Sequence, residues 1–95
     1  MKMHLISGAC GFVGRNMVRR LYNTTEDSLF IVDDLSIGTH PSTWMEYSGS
    51  RMIGDVEVLG ADERIYFWKG DFRDLLFQFR KNPARFFIFH MRNGL

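Results

Sequence analysis

Ser7-Gly8-Ala9-Cys10-Gly11-Phe12-Val13-Gly14 is the stretch that decides how this chain is read. Gly8, Gly11 and Gly14 recur at every third position. The residues before them, Met3 to Ser7, read as a short strand. Those after, Phe12 to about Leu21, read as a helix, with Val13, Met17 and Leu21 spaced along one face. Strand, glycine turn and helix N-terminus in that order let a pyrophosphate approach the backbone closely. Helix N–H groups and the positive end of the helix dipole then face the phosphates. Arg15, Arg19 and Arg20 fall off the apolar stripe and read as a solvated face. Asn23-Thr24-Thr25 supplies turn formers at the helix end.

Working outward, three continuous apolar runs have strand length. Leu29-Phe30-Ile31-Val32 is closed by Asp33-Asp34, Ile65-Tyr66-Phe67-Trp68 by Lys69-Gly70-Asp71, and Phe86-Phe87-Ile88-Phe89 by His90. Continuous rather than alternating runs suggest a parallel sheet covered on both faces. A helix is predicted from Asp74 to about Lys81, where Leu75, Leu76 and Phe79 have helical spacing and Asn82-Pro83 ends the segment. Ser36 to Arg64 shows no firm period. A short helix after Pro41 fits there, and the alternation of Val56 and Val58 fits a strand or a turn of helix. The expected fold is α/β: the N-terminal half of a doubly wound parallel sheet, Rossmann-like, with about four strands in spatial order 3-2-1-4.

Composition narrows the classes. The 95 residues suit one small domain, or part of a larger one. A net charge of +1 argues against a strong polyanion-binding surface, hence against nucleic acid. A single cysteine excludes an internal disulfide and fits a reducing compartment. No apolar run approaches a membrane span, and the N-terminus lacks a signal-type apolar segment, so a cytoplasmic location is expected.

Two further signals support the glycine turn. Asp33 ends the second predicted strand, nineteen residues after Gly14, where a carboxylate would accept hydrogen bonds from ribose hydroxyls. A carboxylate there also repels a 2′-phosphate, which favours NAD over NADP. Gly70-Asp71-Phe72-Arg73-Asp74 closes the third strand and reaches the same sheet edge. Simpler roles compete: aspartates open turns, and Asp71 suits a helix cap.

Together these motifs resemble the N-terminal part of the NAD-dependent epimerase/dehydratase family, the extended short-chain dehydrogenases that act largely on nucleotide sugars. That family opens T-G-x-x-G-F-[IV]-G, where this chain has S-G-A-C-G-F-V-G. Its V-D-[ND]-L-S-x-G is met by Val32-Asp33-Asp34-Leu35-Ser36-Ile37-Gly38, and its G-D-[IFL]-R-D by Gly70 to Asp74. The similarity covers positions 3 to 90, with a poorly matched middle. It implies an NAD-binding domain over 1–95, with Gly8, Gly11 and Gly14 cradling the pyrophosphate beside the backbone of Phe12 and Val13. Asp33 would hold the ribose, Asp34, Leu35 and Ser36 would flank the adenosine with Gly38 closing that segment, and Asp71 and Phe72 would contact adenine. Cys10 occupies a variable position of the turn, a small filler beside the cofactor rather than a nucleophile.

The resemblance stops after His90, where Met91-Arg92-Asn93 replaces the family's Leu-Ala-Ala. These enzymes use a Tyr-x-x-x-Lys pair, whose lysine lowers the tyrosine pKa. Here Tyr22, Tyr47 and Tyr66 are followed four residues on by Glu26, Arg51 and Gly70. The substrate lobe is likewise without a counterpart, and Phe86 to Phe89 would make an apolar sheet edge. These features predict a truncated or frameshifted parent that binds the dinucleotide without catalysis of its own, its nucleotide-sugar substrate belonging to the full-length form. The alternatives are a standalone nucleotide-binding or regulatory module and a non-functional product.

Overall fold

The computed structural model describes residues 2–81. In chain order the elements are β1 (Met3–Ser7), α1 (Phe12–Thr24), β2 (Ser28–Asp33), a 3-10 turn (Pro41–Thr43), β3 (Ser50–Ile53), β4 (Val56–Leu59), β5 (Ile65–Lys69) and α2 (Phe72–Lys81). The strands form one mixed sheet in the order β1-β2-β5-β4-β3. β1, β2 and β5 run parallel to one another, while β4 opposes β5 and β3 opposes β4.

This sheet overturns the expected four-stranded parallel sheet of order 3-2-1-4. The aperiodic stretch between β2 and β5 does not simply cross over the sheet. It adds a hairpin to the far side of β5. Gly54 makes this possible: it takes φ 62° at the first of two turn positions, so that Ile53 pairs with Val56 across a two-residue loop. The fourth expected strand, Phe86 to Phe89, lies outside the described residues, as does its closing His90.

Side chains alternate between two cores. On one face, Ile6, Leu29, Ile31, Leu59, Ile65 and Phe67 pack with Val18 of α1 and with Ala9 and Cys10 of the glycine turn. On the other, Phe30, Val32, Val56, Val58, Tyr66 and Trp68 pack with Leu75 of α2. β2 is buried at every position because helices or loops cover both its faces and strands flank it on both sides.

The face of α1 also differs from expectation. Val13 and Met17 are exposed, whereas Val18 is fully buried and Leu21 and Tyr22 pack against the core. The buried stripe runs Gly14, Val18, Leu21, Tyr22, a helical spacing in its own right. Gly14 explains the choice. A Cβ there would overlap the Gly8 carbonyl oxygen and stand 2.7 Å from Ala9 Cα. The helix therefore turns its residue without a side chain toward the strand–turn junction, and Val18 follows one turn later.

Candidate functional site

At the carboxyl ends of β1, β2 and β5 lies an open cavity of about 300 Å³. Its lining comes from the end of β1 (Ser7, Gly8), the end of β2 (Val32, Asp33, Asp34) and the β5–α2 corner (Gly70, Asp71, Phe72, Arg73). Parallel pairing of the three strands is what brings these ends to one edge.

The glycine turn is hydrogen-bonded to the neighbouring strand. Gly8, at φ 67°, and Ala9 both donate N–H to the Val32 carbonyl, at 2.9 and 3.3 Å. Gly11 N–H returns to the Gly8 carbonyl at 3.2 Å. Gly11 is also the N-cap of α1; no side chain caps this helix, and its first turn contains no acidic residue. The helix N-terminus thus keeps backbone donors and partial positive charge beside an uncharged turn. Phe12 and Val13, the first residues of α1, are exposed there.

Asp33 ties this turn to the loop after β2. Its Oδ2 accepts the Cys10 N–H at 2.9 Å, and its Oδ1 accepts the Leu35 N–H at 2.8 Å. The carboxylate is buried, and Leu35 sits at φ 62°, a backbone region unfavourable to a branched residue. Asp33 is therefore first a clasp, with one further lone pair on each oxygen for a ligand. Gly38 completes the clasped loop: a Cβ on it would collide with the Cys10 carbonyl.

Asp34 is exposed and accepts the Ser36 N–H at 2.9 Å, and this bond holds its carboxyl below the ordinary range. Asp71 accepts the Arg73 N–H at 2.7 Å and so caps α2, the simpler role open to it from the sequence. The Arg73 guanidinium, 3.3 Å from Asp71 Oδ1, is the main cause lowering the Asp71 carboxyl and in turn has its own pKa raised. Cys10 is buried, and burial followed by the Asp33 charge pushes its thiol up to about 12. It stays a protonated filler rather than a nucleophile.

Of the residues singled out in the sequence, Gly8, Asp33, Asp34, Asp71 and Phe72 line the cavity together. Cys10, Gly11, Phe12, Val13, Gly14, Leu35, Ser36 and Gly38 do not line it; they form or support the turn and loop beside it. Ser7, Val32, Gly70 and Arg73 line it without having been assigned a contact. Their signal was positional: each lies within two residues of an assigned glycine or aspartate at a strand end.

Tyr66 and Lys69, three apart on β5, offer no acid–base pair: Tyr66 is buried in the α2-side core and Lys69 is exposed. Among the described residues no group of three or more His, Cys, Asp or Glu side chains is placed to hold a metal ion. Nor, among them, is any helix long and apolar enough to cross a membrane. Comparison with protein-family models, curated proteins and solved structures returns no match to this chain.

Proposed function

We propose that the chain binds a dinucleotide, NAD in preference to NADP, as the cofactor-binding portion of an epimerase/dehydratase-like oxidoreductase. The observation that carries this reading is the direct bond between the two expected halves of the site. Asp33, at the ribose position, grips the backbone of the glycine turn, at the phosphate position. Phosphates suit the uncapped N-terminus of α1. Hydroxyls suit Asp33, Asp34 and Asp71, whose negative charge disfavours a further phosphate on the ribose. The proposal concerns binding. The chain has no Tyr-x-x-x-Lys spacing, so hydride chemistry is not assigned to it.

Calorimetric titration of the folded chain with NAD and with NADP tests this. NAD should bind, NADP more weakly, and Asp34→Ala should weaken NAD by about tenfold through loss of a charged hydrogen bond. A folded chain that takes up neither dinucleotide refutes the reading.

A further inference from the structure

A second group of reactive side chains stands outside the cavity, in the loop between β2 and β3. His40 is the N-cap of the 3-10 turn, and its Nδ1 accepts the Ser42 backbone N–H at 3.1 Å. That bond fixes the tautomer. Nδ1 carries the lone pair, so Nε2 carries the hydrogen and donates it to Glu57 Oε1 at 2.7 Å. The Ser42 hydroxyl lies 2.9 Å from the same Nδ1, so the single Nδ1 lone pair is shared between the Ser42 N–H and the Ser42 hydroxyl.

Sheet register holds the ring. Glu57 on β4 and Phe67 on β5 are directly paired, so their side chains share a face. The His40 ring meets the Phe67 ring edge-on, with centroids 5.2 Å apart and planes at 86°. The imidazole is thus fixed by a carboxylate, an aromatic edge and a backbone donor. Ser42 is exposed, so its hydroxyl is open to a reagent.

A nucleophile within reach of a base, the base oriented by a third group, is the arrangement that activates serine on unrelated folds. We propose that Ser42, His40 and Glu57 form a nucleophile–base–carboxylate relay that acts on carboxylic esters. Ser42 Oγ attacks the ester carbonyl carbon as its proton passes to the His40 Nδ1 lone pair, from which the Ser42 backbone N–H must at that moment release its hydrogen bond. The carbon–alkoxide bond then breaks, and Nδ1 returns the proton to the departing alcohol. Water repeats the sequence on the acyl-serine, releasing the acid and restoring Ser42.

A fluorophosphonate probe reads this directly, because Ser42 Oγ would displace fluoride and keep the phosphonyl group. The 95-residue chain is incubated with the probe, and the adduct is located by mass spectrometry. The expected result is one adduct, on Ser42. Ser42→Ala abolishes it while retaining the backbone N–H that His40 accepts, so its melting should match the parent. His40→Asn is the decisive variant, since asparagine still caps the turn but supplies no base. Having lost the Glu57 bond and the Phe67 contact, it should melt below the parent yet stay folded, and it should label about 100-fold more slowly. Glu57→Gln should also slow labelling, having lost the charge that stabilises the imidazolium, and Ser48→Ala should label as the parent does. Labelling of His40→Asn at the parental rate, labelling spread over several exposed serines, or no adduct on Ser42 overturns the proposal and leaves His40 as a cap alone.

Discussion

In the parallel half of the sheet β2 is buried at all six positions, whereas in the antiparallel half β3 exposes Ser50, Arg51 and Met52 and partly buries only Ile53. Both strands belong to one sheet, β2 between two partners and β3 with one among the described residues. They differ in what covers them. β2 has strands on two sides and packed layers on both faces, so each position selects for an apolar residue. β3 ends the described sheet order beyond β4, and its partner can hold polar neighbours in water. An apolar run therefore marks the centre of this sheet, and a turn marks its edge.

The sharpest test of that contrast sets one glycine from each half against the other. Gly14→Val drives a side chain into the Gly8 carbonyl and the Ala9 backbone, and should cost about 3 kcal/mol or more in chemical denaturation. Gly54→Ala meets no atom within 4 Å and strains only the positive φ, so about 1 kcal/mol is expected. Equal losses would show that close approach in the parallel half matters no more than turn geometry in the other.

Removal of the clasp comes next. Asp33→Ala leaves the N–H groups of Cys10 and Leu35 without their acceptor, at a cost of about 2–4 kcal/mol. The loss should appear in melting curves recorded with no nucleotide present. Unchanged melting with altered nucleotide binding would instead make Asp33 a ligand contact alone.

The two stripes of α1 give a smaller effect. Val18→Ala opens a void under a fully buried side chain and should cost about 2 kcal/mol, while Val13→Ala should stay within about 0.5 kcal/mol. Reversed values would restore the stripe of Val13, Met17 and Leu21 as the packed face.

Acid should act weakly and with a definite sign. The Asp27 carboxyl is lowered from its ordinary 3.8 by the hydrogen bond from His4, 2.9 Å away, and then by the Lys2 backbone N–H. A depressed carboxyl adds stability that is complete above 3.8 and is lost as pH falls through the folded value. Asp27→Asn should therefore melt slightly below the parent near neutral pH, and the gap should close in strong acid. A gap that widens with acid would contradict the assignment.

How much of this was legible follows from where the physics is local. The strand–turn–helix at Gly8 to Gly14 could be read because each residue type there answers a backbone requirement of its own position. The hairpin could have been read as well. Gly54-Asp55 between Met52-Ile53 and Val56-Glu57-Val58 carries a two-residue turn signature, but four-residue strands with one wet side give too short a period to stand out. The stripe on α1 could not be settled by spacing, since Val13-Met17-Leu21 and Gly14-Val18-Leu21 are both helical. Only the contact at Gly14 separates them.

The sequence by itself determined the three continuous apolar runs, the glycine turn, the aspartates at the strand ends and the missing Tyr-x-x-x-Lys, because each is a property of neighbouring residues. Tertiary structure decided the strand order, the packed face of α1, the bond from Asp33 to the turn, and the meeting of His40 with Glu57 seventeen residues away. These depend on which distant backbones pair and on who fills the space between them, and no single window of residues contains that information.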